Sequence, residues 1–497
     1  MTGIICRIGK TLDTQHEIHT LLELLGHRGK YEYIREFEIS EFHTGSTKKF
    51  EQIIVGIRTT EVTDPVQKRN RSFFIIDSLD DTKSVLNVLD TLNENIGLHN
   101  NSVVLRINNH GLVVARSQDG QRAIYVAEDE ESVFLASEKK CLWYAGLNNI
   151  RPIEPNEIYH IAWNGGIWSS SISSPDSIPW KGTIESALVE LEEHLRMSMS
   201  CISNTKCGVL FSGGVDSSLI ANVAKEITDE VILLSAGTQT SRDKKQTAEA
   251  AELLNMELIY SDLTPDHIWN LLPEVIYAAE TCNKMDVEIA IPFFVSASRA
   301  KQNGIELILS GQGPDELFAG YAKHVQIFQE QGPLELSKEL MREVSITHEA
   351  NISRDERVIA ANGVQAIFPY LDPNFSQLAL TLPSNLKVNP GVIPERKVVF
   401  RQLAIRMGLP EQLALTPKKA TQFSSGSSKI LTASIAQHSG IKEARTMREA
   451  EAITQDVLNR IGFELGLPIR EPIFNGKKMD LEPTYNFIKK KKLNLQQ

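Results

Sequence analysis

The sequence predicts an α/β protein of two domains, the larger a doubly wound parallel sheet. Three observations lead there. First, 497 residues exceed what one hydrophobic core ordinarily serves, so two domains are expected. Second, short apolar runs separated by polar and Gly/Asn/Asp clusters give way after Thr183 to strands alternating with helices. Third, glycine-rich turns follow two of the later strands, where parallel sheets place their ligands.

Residues 1–165 read as β-rich, with strands at Ile53–Ile57, Ser72–Ile76, Val103–Ile107, Gly111–Ala115 and Ser132–Ala136. The Gly/Ser/Pro-rich residues 166–182 read as a linker. A helical stretch then leads to the apolar strand Val209–Phe211 and a glycine turn. After the turn Leu219, Ile220, Val223, Ala224 and Ile227 share one helical face. Val231–Ser235, Glu257–Tyr260 and Glu306–Leu309 read as further strands, and from about Lys323 the chain is mainly helical. The parallel-sheet domain is expected over 183–440, with a helical extension and Lys-rich tail over 441–497.

Composition narrows the function classes. A hydrophobic content of 41% and charged content of 23% are those of a soluble globular protein. A net charge of −11 argues against a general nucleic-acid binder, and the Lys489–Lys492 run reads as a solvated tail. Five scattered cysteines without a CxxC pair disfavour a disulfide framework or a zinc site. MTGIICRIGK is too short an apolar run for a signal peptide, and no stretch approaches the about eighteen apolar residues of a membrane span. A cytoplasmic protein is expected.

Val209–Ser218, VLFSGGVDSS, is a buried strand running into a glycine turn and a helix. Gly213 and Gly214 permit close backbone approach, so their N–H groups can converge on an anion. Ser212, Ser217 and Ser218 add hydroxyl donors, and the helix presents its N-terminal dipole. There is no Walker A lysine. Asp216 among phosphate donors implies a Mg²⁺ ion bridging it to phosphate. SGGVDSS resembles the pyrophosphate loop of the ATP-pyrophosphatase (adenine nucleotide alpha hydrolase-like) superfamily, which cleaves ATP between its α and β phosphates.

Leu309–Tyr321, LSGQGPDELFAGY, resembles the asparagine synthetase signature LSGxGxDExFxGY. That resemblance implies Asp315 as a second Mg²⁺ ligand beside Asp216. It also implies Ser310 and Gly311 lining the AMP site, and Phe211 and Ala236 flanking the adenine. Arg354–Asp372 resembles the family's RDD…GVEARxPFLD segment, and Lys397–Arg401 (KVVFR) its KxxLR. Pro417–Gly426 resembles the stretch carrying the lysine that stabilises the transition state, leaving Lys418 or Lys419, with Lys418 favoured. Gln312 stands where bacterial members commonly carry Glu, thought to act on attacking ammonia, and a Gln cannot serve as a general base. Pro314 replaces a small residue.

The N-terminus MTGII resembles the family's MCGI start, whose Cys becomes the nucleophile of glutamine hydrolysis; here the position is Thr2. His27–Gly29 echoes HRGPD, Gly56–Arg58 the site of an Arg that holds the glutamine carboxylate, and Ala136–Glu138 the FASE segment. The resemblance implies an N-terminal-nucleophile-hydrolase-like αββα domain. Removal of Met1 would leave the Thr2 amine beside its own hydroxyl, a known nucleophile–base pair. The oxyanion motif NGEIYN, however, has no counterpart between Arg58 and Asn109, which argues for a degenerate glutaminase. Cys6 reads as a core residue rather than a substitute nucleophile.

By resemblance, then, the chain would be an ATP- and Mg²⁺-dependent ligase that adenylates aspartate and transfers nitrogen to form asparagine, AMP and pyrophosphate. Nitrogen would come from ammonia, from glutamine, or from a separate glutaminase. The alternatives are a relative that amidates or cyclises another carboxylate, and a catalytically silent homologue; intact Asp216 and Asp315 speak against the second. Neither nucleic acid nor membrane is an expected partner, and the assembly is left open, a homodimer among the options.

Overall fold

The computed structural model describes residues 1–497 apart from 11–14, 43–48, 63–64, 70–71, 79–100, 172–178, 229, 240–241, 392–394, 417–425, 440–445, 473–478 and 492–497. The chain forms two compact units, Met1–Pro175 and Asp176–Leu465 with Ile469–Gln496.

In the first unit, alternating apolar residues build two antiparallel sheets. The strands are β1 (Thr2–Gly9), β2 (Tyr31–Glu38), β3 (Gln52–Thr59), β4 (Val66–Arg69), β5 (Ser72–Ser78) and β6 (Ser102–Ile107). They continue with β7 (Gly111–Arg116), β8 (Tyr125–Glu128), β9 (Val133–Ala136), β10 (Arg151–Pro152), β11 (Glu157–Ala162) and β12 (Ile167–Ser171). One sheet runs β10-β8-β9-β1-β3-β2, the other β12-β11-β7-β6-β5-β4. Every second residue of a strand faces the partner sheet, so Ile4, Cys6 and Ile8 of β1 meet Ile75 and Leu105 in one core. Cys6 is fully buried there, and burial pushes its thiol well above the usual range, which leaves it unreactive. The opposite face of the first sheet, with Ile5, Ile54 and Phe134, packs against the helices Gln15–Leu24 and Lys139–Tyr144. The described layers are thus α/β/β.

One expectation needs correction. Residues 167–171, read as the start of a linker, form β12 and pair with β11 in register from Ile161↔Ile167 to Glu157↔Ser171. As an outermost strand with four of its five residues exposed, β12 needs no apolar face, so its IWSSS sequence looks like loop.

The second unit contains a five-stranded parallel sheet in the order β15-β14-β13-β16-β17. Its strands are β13 (Cys207–Leu210), β14 (Val231–Gly237), β15 (Leu258–Asp262), β16 (Leu307–Leu309) and β17 (Gln365–Ile367). Strand order reverses at β13: β14 and β15 extend one way, β16 and β17 the other. Doubly wound sheets open a crevice at such a reversal, outside the strands' carboxyl ends. The fifth strand, β17, lies in a region read as helical. Three residues carry no periodic signal, and β17 exists because Leu309 pairs with Ile367 and the cluster around Ile308 and Phe368 covers it. A short antiparallel pair, β18 (Val388–Asn389) and β19 (Glu395–Arg396), delivers the chain to Lys397. No described helix is long and apolar enough to cross a membrane.

Candidate active site

Two loops leave neighbouring strands at the reversal point. After β13, Phe211 donates its N–H to Leu234 at 2.8 Å, and Gly213 takes a left-handed φ of +69° that turns the chain into the helix Val215–Ile227. A Cβ on Gly213 would lie 3.0 Å from the Gln246 carbonyl oxygen, so glycine serves both conformation and space. The Ser217 hydroxyl lies 3.2 Å from the Ser212 hydroxyl and accepts the Ser212 N–H, holding the turn closed. Ser212 is exposed, whereas Ser218 is fully buried with a hydroxyl that has no hydrogen-bond partner among the described residues. After β16, Ser310 donates to Ile367 at 2.9 Å, and Gly311 lies against the first loop. A Cβ on Gly311 would meet Ser217 N at 3.0 Å. The phosphate-loop candidates Ser212, Gly213, Gly214 and Ser217, with Ser310 and Gly311, thus gather at the carboxyl ends of β13 and β16. Phe211 follows β13 directly, and Ala236 is the penultimate residue of the neighbouring β14; both are buried.

The two carboxylates that the sequence singles out meet on one side chain. Lys397 Nζ lies 2.7 and 2.8 Å from the two oxygens of Asp216 and 2.9 Å from Asp315 Oδ1. Burial lowers the ammonium's pKa and Asp216 opposes the shift. Tyr370 supports the arrangement by donating its hydroxyl to the Asp216 carbonyl at 2.8 Å. Glu316, next to Asp315, accepts from the Tyr321 hydroxyl at 2.6 Å, and burial raises its carboxyl above the ordinary range. Gly320 closes the site from behind. A Cβ there would fall 1.8 Å from Asp315 Oδ1 and 2.5 Å from Lys397 Cε. Gly320→Ala is therefore expected to cost about 1–3 kcal/mol of stability by overpacking and to displace one of the two charged groups. Thermal melting and a nucleotide-binding titration together would check it; wild-type values in both would contradict the crowding.

Gln312 is held from its far side. Its amide nitrogen donates to Asp355 Oδ2 at 2.9 Å, and Asp355, fully buried, accepts from Arg354 Nε at 2.8 Å. Arg354 in turn reaches Asp286 at 3.0 Å. With one amide N–H given to Asp355, Gln312 keeps its second N–H and its carbonyl oxygen, an acceptor.

Lys418 and Lys419 lie outside the described residues, but both ends of their segment are tied near the site. Arg401 donates to Ala414 and, at 3.1–3.2 Å, to the Thr416 carbonyl, and a Cβ on Gly426 would lie 2.9 Å from the Thr238 hydroxyl. Sequence reasoning missed Lys397 as a site residue. KVVFR carried a family resemblance but nothing local indicated that its lysine bridges two carboxylates far along the chain.

In the first unit the residues that echo a glutaminase are engaged by one another and by their neighbours. Thr2 is buried, its hydroxyl 3.4 Å from that of Thr59, and the Met1 amine donates to Thr60 Oγ1 at 3.1 Å. Arg58, the expected carboxylate anchor, is paired with Glu32 at 3.1 Å and donates to the Leu22 carbonyl at 3.2 Å. His27 and Arg28 from one motif and Glu138 from the other come together, with His27 Nε2 2.8 Å from Glu138 Oε1 and Arg28 and Lys140 also on that carboxylate. Gly29 completes the packing, since a Cβ there would lie 2.0 Å from the Thr59 carbonyl carbon. The cluster is buried.

Comparison with known proteins agrees on the second unit. The family model for asparagine synthase matches residues 190–331 and 328–455, more than half of the chain. A Methanocaldococcus jannaschii protein named for a glutamine-hydrolysing asparagine synthetase is 29% identical over 64% of this chain and 67% of its own. The asparagine synthetase domain-containing protein YML096W of Saccharomyces cerevisiae is 31% identical over 46% of this chain and 49% of its own. The glutamine-hydrolysing asparagine synthetase of Brassica oleracea is 26% identical over 65% and 57%. The chain therefore spans between about half and two-thirds of these relatives.

Proposed function

The chain belongs to the asparagine synthase family, and on that premise we propose that it is an ATP- and Mg²⁺-dependent amide synthetase: it adenylates a carboxylate, with the β-carboxylate of aspartate as leading substrate, and transfers ammonia to it, releasing AMP and pyrophosphate. One observation supports the adenylation half above the others: Asp216 and Asp315, from two loops, converge on one cation at the strand-order reversal.

The donor set fits Mg²⁺. Both groups are carboxylates already shared by a positive charge, and among the described residues no cluster of three or more His, Cys, Asp or Glu forms a closed metal cage. Mg²⁺ commonly takes one or two carboxylates and completes its shell with water and substrate phosphates. Asp216 and Asp315 would hold it, and when bound it neutralises phosphate charge. The backbone N–H groups of the Ser212–Ser218 turn and the helix dipole behind them would hold the phosphates. Lys418 or Lys419 would add positive charge where negative charge builds on the α-phosphate.

For nitrogen, the reading favours ammonia. Thr2 stands where the family places Cys, and Arg58 is occupied by Glu32. Gln312 would use its carbonyl oxygen as an acceptor that orients an already neutral amine, while one of its N–H groups is held by Asp355. The test is aspartate-dependent ATP–pyrophosphate exchange, followed by asparagine formation with ammonium and with glutamine side by side. Exchange with aspartate and product from ammonium alone is the expected outcome. Exchange driven only by another acid would replace aspartate as substrate, equal rates with glutamine would overturn the ammonia reading, and no exchange with any acid would sink the synthetase reading.

A further inference from the structure

Lys397 occupies the position that a metal ion shared by Asp216 and Asp315 would take. Its ammonium contacts both oxygens of Asp216 and one of Asp315 within 2.9 Å. We propose that Lys397 is the resident cation of this site: it neutralises the carboxylate pair in nucleotide-free protein and yields the seat to Mg²⁺ only when ATP arrives. The inference rests on the reading that Asp216 and Asp315 hold Mg²⁺ with ATP, and adds to it an order of loading.

Charge explains why metal alone should not displace the lysine. An ammonium and a divalent ion cannot share the same carboxylate oxygens without strong repulsion. The Lys397 side chain is only 1% exposed, so expelling it from its two partners would leave a buried charge uncompensated. Glu316 does not offer an alternative anion, because the Tyr321 hydroxyl already occupies its Oε1 at 2.6 Å. Magnesium–ATP brings both replacements at once, a cation for Asp216 and Asp315 and phosphate oxygens for Lys397.

The geometry suits an exchange confined to the side chain. Lys397 takes a left-handed backbone φ of +59° just before the helix Val398–Arg406. Its carbonyl accepts the Arg401 N–H at 2.9 Å, and the next residue donates to the Lys387 carbonyl at 3.0 Å. The backbone is pinned on both sides while the four-carbon chain can swing its ammonium. Gly320 leaves the room that the lysine stem needs, with a Cβ position only 2.5 Å from Cε.

The experiment follows Mn²⁺ binding to the full chain by electron paramagnetic resonance, which requires no turnover. Three samples are compared: wild type alone, wild type with an ATP analogue whose α–β bridge is a methylene, and Lys397→Met alone. Wild type should bind Mn²⁺ about tenfold or more weakly without the analogue than with it, a typical coupling between linked sites, after correction for Mn²⁺ on the free analogue. Lys397→Met should recover about tenfold of that affinity without nucleotide. Equal affinity of wild type with and without analogue, at a site abolished by Asp216→Asn, would overturn the proposal while leaving the metal reading intact. No protein-dependent Mn²⁺ binding even with the analogue would instead overturn the metal reading. Lys397→Met binding Mn²⁺ no more tightly than wild type without nucleotide would likewise overturn the proposal. Should that variant fail to fold, Lys397→Gln, which keeps a polar group but no charge beside the carboxylates, takes its place in the same titration.

Discussion

Asp216→Asn is expected to lower carboxylate-dependent ATP–pyrophosphate exchange by about 10²–10³-fold, the usual scale for losing one charge-stabilising group, while leaving the melting temperature nearly unchanged. The amide would still accept a hydrogen bond from Lys397, and Asp315 at 2.9 Å would still balance its charge, so the buried ammonium keeps a partner. What disappears is half of the negative charge offered to a divalent ion. Asp315→Asn should behave alike, and the double variant should be scarcely worse than either single one, because both carboxylates serve one ion. Exchange within about threefold of wild type in both single variants would refute the shared role; strictly multiplicative losses would mean that the two act separately.

Glu138→Ala is expected to destabilise the first unit by about 3–5 kcal/mol, the cost of removing one member of a buried ion cluster. Arg28 and Lys140 are only 2% and 6% exposed and would lose the carboxylate that compensates them. Burial pushes the Glu138 carboxyl up, but His27, Lys140 and Arg28 together hold it well below its ordinary value of 4.5. A depressed carboxylate contributes stability that is present above 4.5 and is lost as pH falls through the lower folded value. His27 adds to the same trend. Burial lowers its pKa below 6.5, so protonating it in the fold is costly and stability declines as pH drops beneath that point. Urea denaturation followed from pH 7 to pH 3 would show wild type converging toward the variant at acid pH. A constant gap between the two curves would rule out Glu138 ionisation as the source.

Much of the site was legible because its chemistry is local. VLFSGGVDSS encodes strand, turn and helix within ten consecutive residues, and Gly213, read as permitting close backbone approach, takes a left-handed φ that favours glycine. LSGQGPDELFAGY does the same after β16. The alternation of strand and helix was enough for a parallel sheet, and a reversal of strand order then brings both loops to one crevice. By contrast β12 and β17 were invisible, one an exposed edge strand without an apolar face, the other three residues held in place by its neighbours.

What the sequence by itself determined is the pair of glycine-rich loops, the two carboxylates they carry, and the layered α/β frame that presents them. Only the tertiary structure decided which cation those carboxylates share, that Arg58 belongs to Glu32, and that His27, Arg28 and Glu138 form a buried cluster. The reason is range. Loop conformation and strand pattern arise from neighbours along the chain, whereas Lys397 meets Asp216 across 181 residues and Glu138 meets His27 across 111. Charge pairs of that separation leave no periodicity to read; they exist because folding removes water from both groups at once and leaves each as the other's compensation.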